Sequence, residues 1–505
     1  MLSNYFQSNI GLSDWLDVVS GSFLNLLPEL ALAITLVFLI LFDLLFDKHK
    51  SIGLVFIALS GLTFVSFLLI KQWQPELAQI SFFDDMLKQT NFAIVIKLLF
   101  SLAAIISVMM LATDRSSLMQ RSLQSSEHLV MLMTILLGSF FMTMTMNLVL
   151  IYLSIELVSI ASYLITALLL NKKRAEAALK YLIFGAVASA FMLYGMSWLY
   201  GFTGTLQLDS DTFLAGLMEV PPMPLTLALL LTLVGLLFKL GAFPMHIWSP
   251  DVYEAAPTPV VSFFSVVPKI AAISVIFRIV QLSLNSNFDW ALVLTIVSMA
   301  SMVVGNFSAI WQKDVKRMLA YSSIAHAGFL LIGIIAQSET GNESMLIYAI
   351  IYAAMNYAAF WLVQLFEGIS GTSEMSGWKG YGRQYPYLGV LFLITMVSLT
   401  GLPPTAGFNA KLFVFTALWE SYISGGDQLL LWLFIFGLFN TVVSLFYYLK
   451  IPYLLFFKES STLMDGQKVK VVDIFLGTIL VSPLLVLFFK ADWFVDLMNT
   501  VNFTF

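Results

Sequence analysis

Cysteine is absent from all 505 residues, which excludes disulfides, thiolate metal sites and cysteine-held iron–sulfur clusters together. Charge is nearly as scarce. Only 11% of residues are charged against 59% hydrophobic, a balance that no water-soluble core can hide from solvent. No basic run exceeds Lys172, Lys173 and Arg174, so nothing here suits a nucleic-acid backbone. There is no phosphate-binding glycine loop, no nucleophile with a plausible base, and no second His or Cys at ligand spacing around any histidine. Redox chemistry and its cofactors are therefore expected in partners, with no metal in this chain. Met1 to Ser22 contains no Lys or Arg and lacks the basic start of a secretory signal, so the first apolar run is expected to be kept.

What fills the chain instead is long apolar runs. Leu30 to Leu45, Ile52 to Leu69 and Leu225 to Leu240 approach or reach the roughly 20 residues with which a helix crosses hydrocarbon. Their repetition predicts an all-α polytopic membrane protein of about 14 transmembrane helices. The spans fall near 23–46, 52–71, 91–113, 129–146, 148–170, 178–200, 225–245, 257–281, 290–310, 317–337, 344–367, 386–420 (interrupted), 429–453 and 472–492. If the N-terminus is outside, fifteen basic residues fall in cytoplasmic loops: Lys48, Lys50, Arg115, Arg121, Lys172, Lys173, Arg174, Lys313, Lys316, Arg317, Lys379, Arg383, Lys458, Lys468 and Lys470. Only Lys71 and Lys88 fall outside. That asymmetry predicts a multi-pass protein of the cell inner membrane with both termini on the outer, periplasmic side.

Two spans carry breaks: Gly241 with Pro244, and Gly401-Leu402-Pro403-Pro404 followed by Gly407. Each reads either as a packing kink or, as one of a matched pair of interrupted helices, as part of a transport site. A weak repeat favours the pair. Tyr152-Leu153-Ser154-Ile155 recurs as Tyr321-Ser322-Ser323-Ile324 at an offset of 169, and Lys239 and Lys411, one beside each break, are 172 apart. Five helices fill each period, and an odd number inverts the second copy across the membrane. The organisation expected is helices 1–3 in 1–128, two inverted five-helix repeats in 129–285 and 286–456, and a C-terminal helix in 457–505.

Lys450, Lys490 and Arg278 sit near span ends, where long side chains snorkel to the interface. Lys180, Lys239, Lys269 and Lys411 are expected deep in spans, where each needs a carboxylate, water or deprotonation. Glu156 in the fifth span is the carboxylate available. A Glu156 contact with Lys180 or Lys239 that forms and breaks would capture and release protons, and a permanent structural pair would use the same residues. Lys97 stays open between the two roles. His246 and His326 each suit a proton relay between lysines or a hydrogen-bonded core position, and the place of His246 after the Lys239 break favours the relay for it.

Phe238 to Val260, and within it Trp248-Ser249-Pro250-Asp251-Val252-Tyr253-Glu254-Ala255-Ala256-Pro257, resembles the seventh-to-eighth helix region of the antiporter-like membrane subunits of respiratory NADH:quinone oxidoreductases, complex I. Lys180-Tyr181, Lys316 to His326 and Leu399 to Phe408 with Lys411 extend the likeness from about the third span to the thirteenth. The resemblance implies that Glu156, Lys239, Lys269 and Lys411 match the glutamate of helix five and the lysines of helices seven, eight and twelve, which form a proton path along the membrane centre. Lysine at 411, and an end soon after the last span, fit the N-type branch best. Ala255 departs from the family's usual glycine, a local backbone matter. By the same resemblance NADH, FMN, iron–sulfur clusters and quinone are held by sister subunits. The partners implied are neighbouring antiporter-like and small membrane subunits and the lipid bilayer. Cation/proton antiporter complexes contain similar subunits and stand as the alternative.

Overall fold

The computed structural model describes residues 22–46, 50–73, 79–114, 126–168, 171–459 and 469–503. Residues 1–21 and the loop residues Lys48, Arg115, Arg121 and Lys468 lie outside them, as does the side chain of Lys50. Fifteen long helices follow one another: α1 (Leu27–Leu45), α2 (Lys50–Gln72), α3 (Asn91–Thr113), α4 (Glu127–Met144), α5 (Leu148–Ala167), α6 (Lys172–Thr203), α7 (Pro222–Leu240), α8 (Thr258–Leu282), α9 (Trp290–Ile310), α10 (Val315–Ile335), α11 (Glu339–Ser370), α12 (Pro386–Thr400), α13 (Ala406–Gly425), α14 (Gln428–Phe457) and α15 (Val471–Phe489). Thirteen are long and apolar enough to cross a membrane among the described residues. The shorter α12 and the α13 that follows it are the two arms of the interrupted twelfth pass, so the expected fourteen passes are present.

Polar residues sit where helices begin. Asn147, Asn171, Asp289, Asp314 and Asp427 cap α5, α6, α9, α10 and α14, each accepting a first-turn N–H that would otherwise lack a partner. The pass direction alternates, so two ends of the bundle can be told apart. A two-stranded hairpin, β1 (Ile80–Phe82) paired with β2 (Leu87–Gln89), marks one of them, the hairpin end. Lys173, Lys313, Arg317 and Lys379 belong to the other, the basic end.

The centre of the bundle is α8, α10 and α11, whose most apolar stretches are 100%, 94% and 89% buried, against 28% for α1 and α2 and 22% for α15. The peripheral helices display large apolar side chains such as Phe56, Phe446 and Phe489, a surface suited to hydrocarbon and not to water.

Candidate proton-relay site

Both anticipated breaks are real. α7 ends at Gly241, in the left-handed region with φ 68°, and α12 ends at Gly401 with φ 85°. Such a turn is open to glycine at little steric cost. At the first break Gly241 N–H and Ala242 N–H bond back to Phe238 and Leu237, and the Trp248 indole N–H donates to the Phe238 carbonyl at 2.9 Å. At the second, Gly401 N–H and Leu402 N–H bond back to Ser398 and Val397, and Gly407 N–H donates to the Ser398 hydroxyl at 3.2 Å. The last carbonyl of each helix receives a buried ammonium. Lys269, on α8, donates to Leu240 O at 3.0 Å, and Lys411, on α13, donates to Thr400 O at 2.7 Å. A helix C-terminus carries partial negative charge, so each lysine faces a favourable backbone dipole, and among the described residues no carboxylate pairs with either.

Lys239 differs from both. It is 2% exposed, its Nζ makes no hydrogen bond, and it lies 5.4 Å and 5.6 Å from the rings of Tyr163 and Tyr181. Glu156 on α5 is within electrostatic reach of it, and one oxygen of that carboxylate is buried without a hydrogen bond. No ion pair joins the two among the described residues, so the expected Glu156 contact is open in this arrangement.

From Lys269 the polar array continues along α10. Its ammonium donates to the Ser323 hydroxyl at 3.1 Å. One turn on, His326 Nδ1 lies 2.7 Å from the Tyr348 hydroxyl and Nε2 3.1 Å from that of Tyr448, which also bonds Ser322. His326 is within electrostatic reach of both Lys269 and Lys411, and so bridges the two breaks. His246, half-buried beside the first break, stacks on Phe243 and faces Lys269 only at electrostatic range.

Three expectations need correction. Lys180 is not in the central array: its side chain is 44% exposed at the basic end, bound to Glu176 and to Asp251 at 2.9 Å each. α6 begins at Lys172, before the expected span of 178–200, and its first turns, residue 180 included, reach the charged short helix at the basic end. Arg278 does not snorkel. It is 2% exposed and donates to the Met142 and Thr145 carbonyls at 3.2 Å and 3.1 Å, because α8 runs through the centre of the bundle where no lipid interface is in reach. Glu156 is not the only intramembrane carboxylate, since Glu29 on α1 is buried against Lys97.

Beyond the first break the chain passes through a short helix, Trp248–Ala255, that is clamped by charge at the basic end. Asp251 accepts from Lys180 and from Arg317 at 2.7 Å; Glu254 accepts from Lys173 at 2.6 Å and Arg317 at 2.8 Å. Arg174 and Lys316 donate to the carbonyls of Ala255 and Ala256 where that helix ends. Burial raises both carboxyls, but the bonds from Lys180 and Arg317 hold Asp251 below its ordinary range, and those from Lys173 and Arg317 do the same for Glu254. In the sequence Lys173, Arg174, Lys316 and Arg317 count as cytoplasmic-loop charges and Lys180 as a relay candidate; that all five hold this short helix needed the fold. Among the described residues no group of three or more His, Cys, Asp or Glu is placed to hold a metal.

Residues 145–444 match the family model described as NADH:quinone oxidoreductase/Mrp antiporter, TM. NADH-quinone oxidoreductase subunit N of Chlorobium chlorochromatii is 35% identical over 469 residues, 90% of each chain. A chain in the structure of respiratory complex I from Thermus thermophilus with bound aureothin superposes with a TM-score of 0.79 at 29% identity, over 94% of this chain and all of that one. A chain of the Mrp complex from Dietzia sp., 17% identical, shares the fold with a TM-score of 0.80 over 95% of this chain and 96% of its own. With α5 to α13 and the first half of α14 inside the matched region and its lysines at both breaks, the chain belongs to the NADH:quinone oxidoreductase/Mrp antiporter transmembrane family, beside relatives named subunit N.

Proposed function

We propose that this chain is a proton-translocating membrane subunit of an NADH:quinone oxidoreductase, moving protons when electron transfer in sister subunits changes its charges. The observation that carries this is the row of three buried lysines threaded through both breaks, none of them ion-paired to a carboxylate among the described residues. A charge in such a place is costly and marks a pathway more often than a scaffold. Lys239, with no hydrogen bond, is the member free to approach Glu156 or withdraw from it. Lys269, Ser323, His326, Tyr448 and Lys411 continue the array across the bundle. NADH, FMN, iron–sulfur clusters and quinone belong to the partner subunits, which include neighbouring antiporter-like and small membrane subunits. The matched breaks support two inverted five-helix repeats, 129–285 and 286–456. The basic residues gathered at one end support an inner-membrane orientation with both termini outward.

A relay must lose its proton during the cycle, and lysine can do so where arginine cannot. In the assembled complex, reconstituted in vesicles, Lys239→Arg is expected to lose most coupled proton movement, nearly as Lys239→Ala does. Normal pumping by the Arg variant would leave Lys239 as a fixed charge and overturn its role. Flavin and iron–sulfur subunits are expected to co-purify in mild detergent; their absence would favour an antiporter complex.

A further inference from the structure

The most deeply enclosed ion pair among the described residues lies outside that array, toward the hairpin end. Glu29 sits on the buried stripe of α1, with Leu32, Thr35 and Leu39, at a position where the pattern calls for an apolar side chain. Its Oε1 is 2.6 Å from Lys97 Nζ on α3, and the two side chains are 3% and 1% exposed. Lys97 also donates to Gln89 Oε1 at 2.7 Å and meets the Met144 sulfur at 3.1 Å, a poor acceptor. The Lys97 contact is an ion pair without hydrogen-bond geometry, and neither Glu29 oxygen makes a hydrogen bond. A polar seam leads outward from this pair: Gln89 donates to Gln72 at 3.1 Å, and half-buried Gln72 donates to the Asn25 carbonyl at 2.9 Å. On the inner side the buried guanidinium of Arg278 is within electrostatic reach of Lys97.

Lys97 thus meets one carboxylate in contact and one further enclosed cation at electrostatic range, and of the two cations only Lys97 can exchange a proton. Replacing a buried ion pair by apolar side chains of similar volume is often neutral or stabilising, so packing alone does not call for these charges.

We propose that Glu29 and Lys97 form a proton-release site for the hairpin end of the bundle, with Arg278 as a fixed charge near Lys97 that favours loss of its proton. The proposal rests on the proton-carrying reading above. A proton passed outward from the central lysines converts the Lys97 amine to the ammonium. Transfer to Glu29 breaks one N–H bond, forms one O–H bond, and leaves an amine beside a carboxylic acid. The acid then gives that proton to water in the Gln89–Gln72 seam. The carboxylate is restored, ready for the next proton.

The test compares variants of the assembled complex in vesicles, reading proton movement per quinone reduced. Lys97→Arg preserves the ion pair and removes the exchangeable site, so proton movement is expected to fall toward the level of Lys239→Arg while assembly stays normal. Glu29→Gln keeps the size and removes the acceptor, with the same expected loss. It should also delete a carboxylic-acid C=O band from the infrared difference spectrum of turnover, which a purely structural pair would not produce. Should Lys97→Arg fail to assemble, Glu29→Gln decides alone. Normal pumping by the assembled Glu29→Gln variant, or turnover spectra that Glu29→Gln leaves unchanged, overturns the proposal. If Lys97→Arg pumps normally and Lys239→Arg does not, the release site falls and the central relay stands; if both pump normally, both fall.

Discussion

The two breaks are built alike at the backbone and differently in charge. Each ends a helix on a left-handed glycine, and each hands its last carbonyl to a buried lysine. The first break, however, carries a second lysine on the same helix, Lys239, that nothing hydrogen-bonds. It also leads into a helix held by five cationic side chains at the basic end. The second break restarts directly as α13 and borders an apolar groove of about 560 Å³ lined by Phe408, Leu412, Phe415 and Trp419. The shared part is structural, since the orphaned carbonyls of a buried helix terminus need a hydrogen-bond donor, which a lysine supplies at each break. The unshared part is where charge is free to change; under the function proposed above, the switching step would belong to the first break and a receiving step to the second.

That contrast is sharpest in what lysine removal does to stability. Lys269→Met and Lys411→Met each orphan a buried carbonyl, at a cost of about 1–3 kcal/mol, and each should abolish most proton movement. Lys269 should be the more damaging, because Ser323 loses its donor as well. Lys239→Met should also stop transport, yet leave thermal stability unchanged or raised, since it removes a buried charge with no hydrogen bond. Melting curves of the purified complex check this ordering. A destabilisation by Lys239→Met as large as that by Lys269→Met would erase the distinction between switching and capping lysines.

A smaller effect separates the glycines. Alanine at either position meets the left-handed penalty of about 1–2 kcal/mol. A Cβ on Gly401 would also sit 2.6 Å from Cδ of Lys411, in the stem of that side chain, whereas one on Gly241 would meet only the terminal Nζ of Lys269 at 2.9 Å. The tip of a lysine swings aside more readily than its stem, so Gly401→Ala is expected to lower the melting temperature further than Gly241→Ala. The reverse order would mean that the first break is the more rigid of the two.

Much of this was legible in the sequence because lipid punishes exceptions. Fourteen passes, both breaks and Lys239, Lys269 and Lys411 all announce themselves as violations of apolar runs. Three features did not, for separate reasons. Glu29 is the third residue of α1, where an acidic side chain reads as ordinary helix-start chemistry, and only packing against α3 reveals it as buried. Arg278 is four residues from the end of α8, close enough to read as interfacial, and distance along a helix says nothing of how central that helix is. Lys180 reads as intramembrane because the apolar stretch of 178–200 includes it, while its ion pairs with Glu176 and Asp251 at the basic end appear only in the fold. His326 fits neither class: its place was read correctly, but its partners Tyr348 and Tyr448 lie on α11 and α14, beyond any local pattern.

The mildest test addresses the clamp that the first break has and the second lacks. Asp251 is held below its ordinary value of 3.8 and Glu254 below 4.5 by their bonds to Lys180, Lys173 and Arg317. A carboxyl with a depressed folded-state pKa contributes stability that is fully present above its ordinary value and is lost as pH falls through the depressed one. The wild-type clamp is therefore complete at pH 7 and at pH 5, and weakens only in stronger acid. Asp251→Asn lacks the charge at every pH, so it should be less stable than wild type at pH 7, by about 1 kcal/mol or less given the partial exposure of the site. The gap should close as the wild-type carboxyl itself protonates below pH 3.8. Proteolysis at the Trp248–Ala255 segment, followed across pH in both proteins, reads this directly. A gap that persists or widens in acid would show that the carboxylate charge is not what fastens the first break to the basic end.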